Sequence, residues 1–459
     1  MLPFLDRQEE QARLASALDV GGFVCVYGRR RLGKSRLVQR ALLRRPAVYY
    51  VGDQRDAAVQ RAELTREIAA VLPGFDAVTY PSWEALLERW WRDSPEGAVL
   101  ALDELPALVM SSPELPGILQ KLLDRFEARP RGLVLCGSSQ RMMFGLVLDA
   151  SAPLYGRARE ILRLEPLGAG WLERALRARD PASAVGHWAT WGGVPRYWEL
   201  ARDFPSRDEA VRQLVLEPLG VLHREPDRIL LDDVQEVARA ASVLALIAAG
   251  AARLSEIGGR LGVPATSLSR PLARLVDLGL VERRTPFGTP PRDSKRSFYV
   301  VRDPFFRFWF RFVDPNRSAL EARQVDRVAK AIAAAWPGFL AAAWEDLVRS
   351  ALPRLEIDGQ RWASPASWWG AGLDGKPLEL DLVAESAEQR GRFLVGEVKL
   401  STDERDVARI RTELAAKAAR CPALAGGEIA TTAVFSLRHQ GARHRGVPVG
   451  AERVLAALR

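Results

Sequence analysis

Gly28-Arg29-Arg30-Arg31-Leu32-Gly33-Lys34-Ser35 fits the pattern G-x-x-x-x-G-K-[ST], a loop built to hold a nucleoside polyphosphate. In such a loop Gly28 and Gly33 let backbone N–H groups close around phosphate oxygens. Lys34 reaches the outer phosphates, and the Ser35 hydroxyl ligates Mg²⁺. Arg36, next in the chain, completes the candidate nucleotide contacts, and the ligand expected is ATP. An acidic pair, Asp103-Glu104, has the types needed to hold the metal and to polarise an attacking water. Ser138 at a third position, with Ser139 as the alternative, is a candidate for touching the γ-phosphate or orienting that water. Farther on, Asp381 and the triplet Glu397-Val398-Lys399 could carry a different chemistry. Two carboxylates would hold a divalent ion while a lysine aligns or activates water, as in phosphodiester cleavage.

These residues need particular elements to position them. Phe23 to Tyr27 is an apolar run that reads as a buried strand feeding the loop, and Lys34 to Leu43 reads as the helix that follows. That helix aims its N-terminal dipole at the phosphates. Ala98 to Leu102 and Gly132 to Cys136 read as strands whose tips carry Asp103-Glu104 and Ser138-Ser139. A turn offers a plainer explanation for either tip. Arg157 and Arg159 precede another strand, Glu160 to Leu164, where they could sense phosphate or simply be solvated. Leu378 to Val383 and Phe393 to Lys399 read as two limbs of a hairpin. Alternation puts Glu397 and Lys399 on one face, and the hairpin brings Asp381 to them. Glu345 lies on a helix upstream, where the resemblance to nuclease-like domains given below implies a further metal-side acid.

Between these regions lies a compact pattern of helices, Val243 to Ile247, Leu254 to Ile257 and Ala265 to Leu278. Strands near Gly279 to Arg284 and Phe298 to Val301 complete the outline of a winged helix-turn-helix. Its third helix offers Thr266, Ser267, Ser269, Arg270 and Arg274 to base edges or phosphate. Its wing offers Arg283, Arg284, Arg292, Lys295 and Arg296 to phosphate. A purely intramolecular role for the module is the competing reading. The aromatic run Asp303 to Phe312 reads as a helix buried between domains rather than a base-stacking surface.

The order of these pieces resembles the archaeal-type ATPases of the STAND branch of AAA+ proteins, which carry a C-terminal nuclease-like domain. Phe4-Leu5-Asp6-Arg7-Gln8-Glu9-Glu10 is similar to their N-terminal F-x-x-R-x-x-E box, which implies that Arg7 lies beside the adenine. Asp6 stands where glycine is usual. Gly192-Gly193-Val194-Pro195-Arg196 matches their G-x-P element, which implies nucleotide contacts from Pro195 and Arg196 in a helical lid. Asp303 to Trp309 is similar to their D-P-F-x-x-F-W connector. The resemblance also implies switch- or ring-like behaviour and makes an oligomer an open expectation.

The fold class expected is therefore α/β: a P-loop, AAA+-like sheet with helical lid, a winged helix, and a C-terminal restriction-endonuclease-like α/β domain. The boundaries expected are 1–167 for the ATPase core, 168–234 for the lid, 235–312 for the winged helix and 313–459 for the nuclease-like domain. At 459 residues several domains are needed, and 48 % hydrophobic with 27 % charged residues is an ordinary globular composition. A net charge of +9, carried mostly by arginine, favours a polyanionic partner, with DNA the expected nucleic acid. No apolar run approaches membrane-spanning length, so no membrane partner and a cytoplasmic location are expected. The cysteines, Cys25, Cys136 and Cys421, read as buried reduced thiols. The histidines, His187, His223, His439 and His444, lack zinc spacing. The function expected is a Mg²⁺-dependent ATPase acting on nucleic acid, with a second divalent metal possible in a DNA-cleaving or end-binding C-terminal domain. The alternative is a nucleotide-controlled regulatory switch or transcription regulator whose nuclease-like domain is inactive.

Overall fold

The computed structural model describes residues 2–126, 131–234, 236–290, 296–440 and 448–459. Arg292, Lys295 and His444 lie outside the described residues. The chain divides into two compact units: Asp6–Pro166, and Met1–Leu5 together with Leu167–Arg459.

The first unit is built on a five-stranded sheet, β1 (Phe23–Tyr27), β2 (Ala47–Val51), β3 (Val99–Asp103), β4 (Gly132–Gly137) and β5 (Glu160–Arg163). The spatial order is β2-β3-β4-β1-β5, and every pairing is parallel. β3 and β4 are buried along their whole length, as continuous apolar runs in a sheet covered on both faces must be. Helices such as Trp83–Asp93, with Trp83, Trp90 and Trp91 against the sheet, close one face. Because β1 lies between β4 and β5, the loop leaving its carboxyl end opens where the strand order reverses. Ligands of open α/β sheets bind at such a point.

The second unit contains three parts. Helices from Leu172 to Asp233 come first. The winged helix follows: Val237–Ala248, Leu254–Leu261, a 3₁₀ turn Ala265–Leu268 running into Ser269–Asp277, and the antiparallel pair β6 (Val281–Arg284) and β7 (Phe298–Val301). The third helix is thus shorter than the sequence pattern implies, because its first turn is 3₁₀. Pro304–Phe312 is a helix capped by the Asp303 carboxylate, which accepts from the Phe306 N–H at 2.8 Å. Its aromatic side chains are buried, which excludes base stacking there. The 27-residue helix Val325–Ala351 leads into an α/β domain.

That domain has a mixed sheet: β8 (Ala366–Ala371), β9 (Pro377–Glu385), β10 (Arg392–Asp403), β11 (Glu428–Gln440) and β12 (Val449–Gly450), in that spatial order. β8, β9 and β10 pair antiparallel, whereas β10 to β12 are parallel. The helix Glu404–Ala419 makes the crossover from β10 to β11 and buries Val407, Ile410, Leu414 and Ala418 against the sheet. Its N-terminus carries a capping box between Asp403 and Asp406. All three cysteines are buried and free. Among the described residues no helix is long and apolar enough to cross a membrane.

Candidate functional site

In the first unit the loop between β1 and the helix Lys34–Leu42 is shaped by its glycines. Gly28 has φ +143°, and a Cβ there would lie 2.6 Å from the Leu164 carbonyl oxygen, so any side chain would push the loop off the sheet. Gly33 has φ +89° immediately before the helix. Lys34 is buried at 5 % exposure, and its ammonium donates to the Gly28 carbonyl at 2.8 Å and the Arg29 carbonyl at 3.1 Å. Burial lowers its pKa, while Glu104 and Asp103 pull in the opposite direction. Ser35 and Arg36 occupy the first turn of the helix.

The strand tips bring the acids to this loop. The Ser35 hydroxyl donates to Asp103 Oδ2 at 2.6 Å. Parallel pairing of β2 with β3 sets Tyr49 near the same carboxylate, and its phenol also donates to Asp103 Oδ2. Burial and that hydrogen bond raise the Tyr49 pKa, which keeps the phenol a donor. Glu104 has φ +51°, uncommon for a side-chain-bearing residue, and turns back toward β4. There the Ser138 hydroxyl lies 2.6 and 2.8 Å from the two Glu104 oxygens, and Arg30 Nε reaches Ser138 Oγ at 3.5 Å. Ser139 instead caps the following helix by accepting from Met142 N–H, so the two serines divide between site and turn. Arg157 pairs with Asp124 at 2.7 and 2.9 Å, and Arg159 is exposed.

Arg7 is 6 % exposed. It pairs with Glu10 at 2.7 Å and donates to the Glu165 carbonyl, tying the N-terminal segment to the end of β5. Asp6 has φ +58°, which explains why glycine suits that position; aspartate is among the few residues that tolerate it. Gly192 to Arg196 belongs to the second unit. Gly192 has φ +58° and packs against Pro304, Pro195 begins the helix Pro195–Ala201, and Arg196 pairs with Glu199 at 3.1 Å.

In the second unit the hairpin closes as its spacing implies. Leu382 lies opposite Gly396, and Val398 N–H donates to Asp381 Oδ2 at 3.0 Å. Lys399 Nζ lies 2.7 Å from Glu397 Oε1. Lys417, from the crossover helix, lies 3.3 Å from Glu397 Oε2. Burial raises the Asp381 pKa, helped by the nearby charges of Glu397 and Glu345 and opposed by the Val398 N–H. Burial tends to lower the Lys399 pKa, but Glu397 outweighs it and the net shift is upward. Glu345 is held by Arg349. Among the described residues no three of His, Cys, Asp and Glu are gathered as a ready metal cage. Lysines span both Glu397 oxygens and an arginine covers Glu345.

Beside this cluster sits a feature with no sequence signature. Asp346 accepts from Arg284 at 2.8 Å, Arg307 at 2.7 Å and Arg349 at 3.0 Å. Burial alone would raise its pKa, but the three guanidinium groups bring it down to about 2. Arg284, expected at phosphate, is therefore engaged in an internal ion pair. Arg296 likewise donates to the Trp369 carbonyl and stands over the Trp368 ring. Two of the wing's expected phosphate contacts are thus turned toward the C-terminal domain. The third-helix residues Thr266, Ser267, Ser269 and Arg270 remain exposed.

A model for the MarR family matches residues 236–288, which contain the three helices and β6. Among solved structures, a Walker-type ATPase of Pyrococcus abyssi superposes with a TM-score of 0.50 at 19 % identity, covering 67 % of this chain and 96 % of its own. The first unit has the fold of a P-loop ATPase. The ORC2 protein of Aeropyrum pernix superposes with a TM-score of 0.45 at 16 % identity over 73 % of this chain and 96 % of its own. A family described as archaea bacterial proteins of unknown function matches residues 309–410, spanning Glu345, Asp381, Glu397 and Lys399. An uncharacterized protein of Methanocaldococcus jannaschii is 27 % identical over 417 residues, covering 90 % of this chain and 91 % of that protein.

Proposed function

We propose that the chain is a Mg²⁺-dependent ATPase that acts on DNA, with a divalent-metal site in its C-terminal domain that cleaves DNA or holds its end. The observation that carries the ATPase reading is the Ser35–Asp103 hydrogen bond, 2.6 Å long, beneath a glycine-framed loop. It sets a hydroxyl and a carboxylate side by side, the donor set that P-loop sites use for magnesium. Ser35 and Asp103 would hold Mg²⁺, which neutralises charge on the β- and γ-phosphate oxygens when bound. Gly28, Gly33, Lys34 and Arg36 hold the phosphates, and Arg7, Pro195 and Arg196 are the proposed contacts at the base end. Glu104, oriented by Ser138, polarises the attacking water. Lys34, already buried and facing the loop carbonyls, loses little further hydration on meeting a phosphate.

For DNA, the exposed hydroxyls and Arg270 of the third helix are the contacting groups, and the MarR-type module supports that use. In the C-terminal domain Asp381, Glu397 and Glu345 would hold the metal and Lys399 would align water. The cations covering Glu397 and Glu345 favour a second reading, a nucleotide-controlled regulator without cleavage. Incubating linear, circular and single-stranded DNA with Mg²⁺ or Mn²⁺ separates the two. Cleavage lost in Asp381→Ala and Lys399→Ala is the expected result, and intact DNA under every condition assigns the chain to the regulator class.

A further inference from the structure

Three donors hold the Asp103 carboxylate, which is 2 % exposed. The Ser35 hydroxyl donates to Oδ2 at 2.6 Å, the Tyr49 phenol donates to the same oxygen, and the Glu104 N–H donates to Oδ1 at 2.9 Å. A carboxylate offers about four lone-pair positions, two on each oxygen. Oδ2 therefore accepts both hydroxyls at once, and Oδ1 keeps a position open. Ser35 comes from the helix after the phosphate loop, whereas Tyr49 comes from the neighbouring strand. In the parallel β2–β3 ladder Tyr49 lies opposite Ala101, two residues before Asp103 and on the same face. That offset is about 6.6 Å along the strand, a span that a tyrosine side chain covers and a serine or threonine does not. Burial, chiefly, and the bond to Asp103 raise the Tyr49 pKa, and Ser35 pulls it down, so the three side chains form one cluster in which the phenol keeps its proton.

We propose that Tyr49 is a positioning residue for the Mg²⁺ half of the nucleotide site: it fixes Asp103 so that the Ser35 hydrogen stays on Oδ2 and the lone pairs of Ser35 Oγ stay free for a cation. This rests on the ATPase reading above and adds a residue to it. Tyr49 itself meets neither phosphate nor ion. With the phenol in place, Asp103 is held from the helix side and from the sheet side. With phenylalanine there, Oδ2 keeps only the Ser35 hydroxyl, and a hydroxyl facing a less constrained acceptor can turn its hydrogen elsewhere. The phosphate half of the site does not share this dependence, because Lys34 rests on the Gly28 and Arg29 carbonyls.

The test is a binding measurement on the full-length chain. A fluorescent ATP analogue is titrated once in EDTA and once in saturating Mg²⁺, and the ratio of the two affinities is the gain due to the ion. Tyr49→Phe removes one oxygen and nothing else. It should leave the EDTA affinity within about twofold and cut the gain by about tenfold, the scale of one hydrogen bond to a charged acceptor. In an Asp103→Asn background the same substitution should change the gain by less than about twofold, because its path runs through that carboxylate. A parental gain in Tyr49→Phe overturns the proposal. So does an equal loss in EDTA and in Mg²⁺, which would make Tyr49 part of the sheet's framework, and so does a full effect in the Asp103→Asn background. A parent that binds no nucleotide, or binds it equally with and without Mg²⁺, removes the ATPase reading itself.

Discussion

Ser138→Ala isolates one contact of the proposed ATPase centre. Ser138 is 3 % exposed at the end of β4, and its hydroxyl lies 2.6 and 2.8 Å from the Glu104 oxygens. The Ser138 backbone N–H reaches the same carboxylate at 3.4 Å. A hydrogen bond to a charged group contributes about 1.5–3 kcal/mol. If that energy keeps Glu104 aimed at the attacking water, its loss appears in the barrier, where about 1.4 kcal/mol is tenfold in rate. The expected fall in kcat is therefore about 10- to 100-fold. Nucleotide affinity should stay within about twofold, because Lys34 and the loop amides do not depend on Ser138. Phosphate release under saturating ATP gives the first quantity, and titration with a fluorescent nucleotide gives the second. Ser138→Thr keeps the hydroxyl and should recover most of the rate. A parental kcat in Ser138→Ala refutes the assignment of Glu104 as the water-polarising group held by Ser138. A parallel loss of affinity would instead make the contact part of the loop's framework.

Other outcomes follow from the same geometry. Lys34→Ala abolishes nucleotide binding in an equilibrium titration, whereas Glu104→Gln retains binding and stalls turnover in the phosphate-release assay. Asp346 contributes to stability with a defined pH profile. Its pKa is displaced from 3.8 to about 2 in the folded chain, so ionised Asp346 stabilises above the unfolded-state value and the contribution disappears as pH falls through about 2. The displacement corresponds to about 2 kcal/mol at pH 7, roughly half of which persists at pH 3. Urea midpoints of the parent and Asp346→Asn should accordingly be farthest apart near neutrality and draw together below about pH 4; a gap that is constant with pH would show that the three arginines do not set its ionisation.

What the sequence made legible shares one property: the information is local. Gly28, Gly33, Lys34 and Ser35 lie within eight residues, and their strand and helix flanks are readable from apolar runs alone. Glu397 and Lys399 share a face by alternation, and the spacing to Asp381 is closed by one hairpin. Tyr49 was not legible because its contact with Asp103 depends on β2 lying beside β3, a matter of strand order across the sheet. Lys417 required knowing how the crossover helix lies on β10. The wing misled for a related reason. Arginine in a basic hairpin looks like a phosphate contact, but Arg284 finds Asp346 sixty-two residues away. Only the packed domain reveals that partner, and no periodicity encodes it.

The Asp346 cluster bears on how the two halves of the proposed function connect. A half-buried carboxylate ringed by arginines is weak evidence for stability, since desolvation offsets much of the attraction. Apolar residues of similar volume would hold the wing to the C-terminal domain at least as well; Phe298 on Trp369 and Phe287 on Phe393 already do so, with ring centroids 4.9 and 5.8 Å apart. What charges add is response to other charges. Arg284 belongs to a module whose third helix faces outward with hydroxyls and Arg270, and it meets the same oxygen as the arginine that covers Glu345. The apolar contacts and the ion pairs together hold the wing to the C-terminal domain.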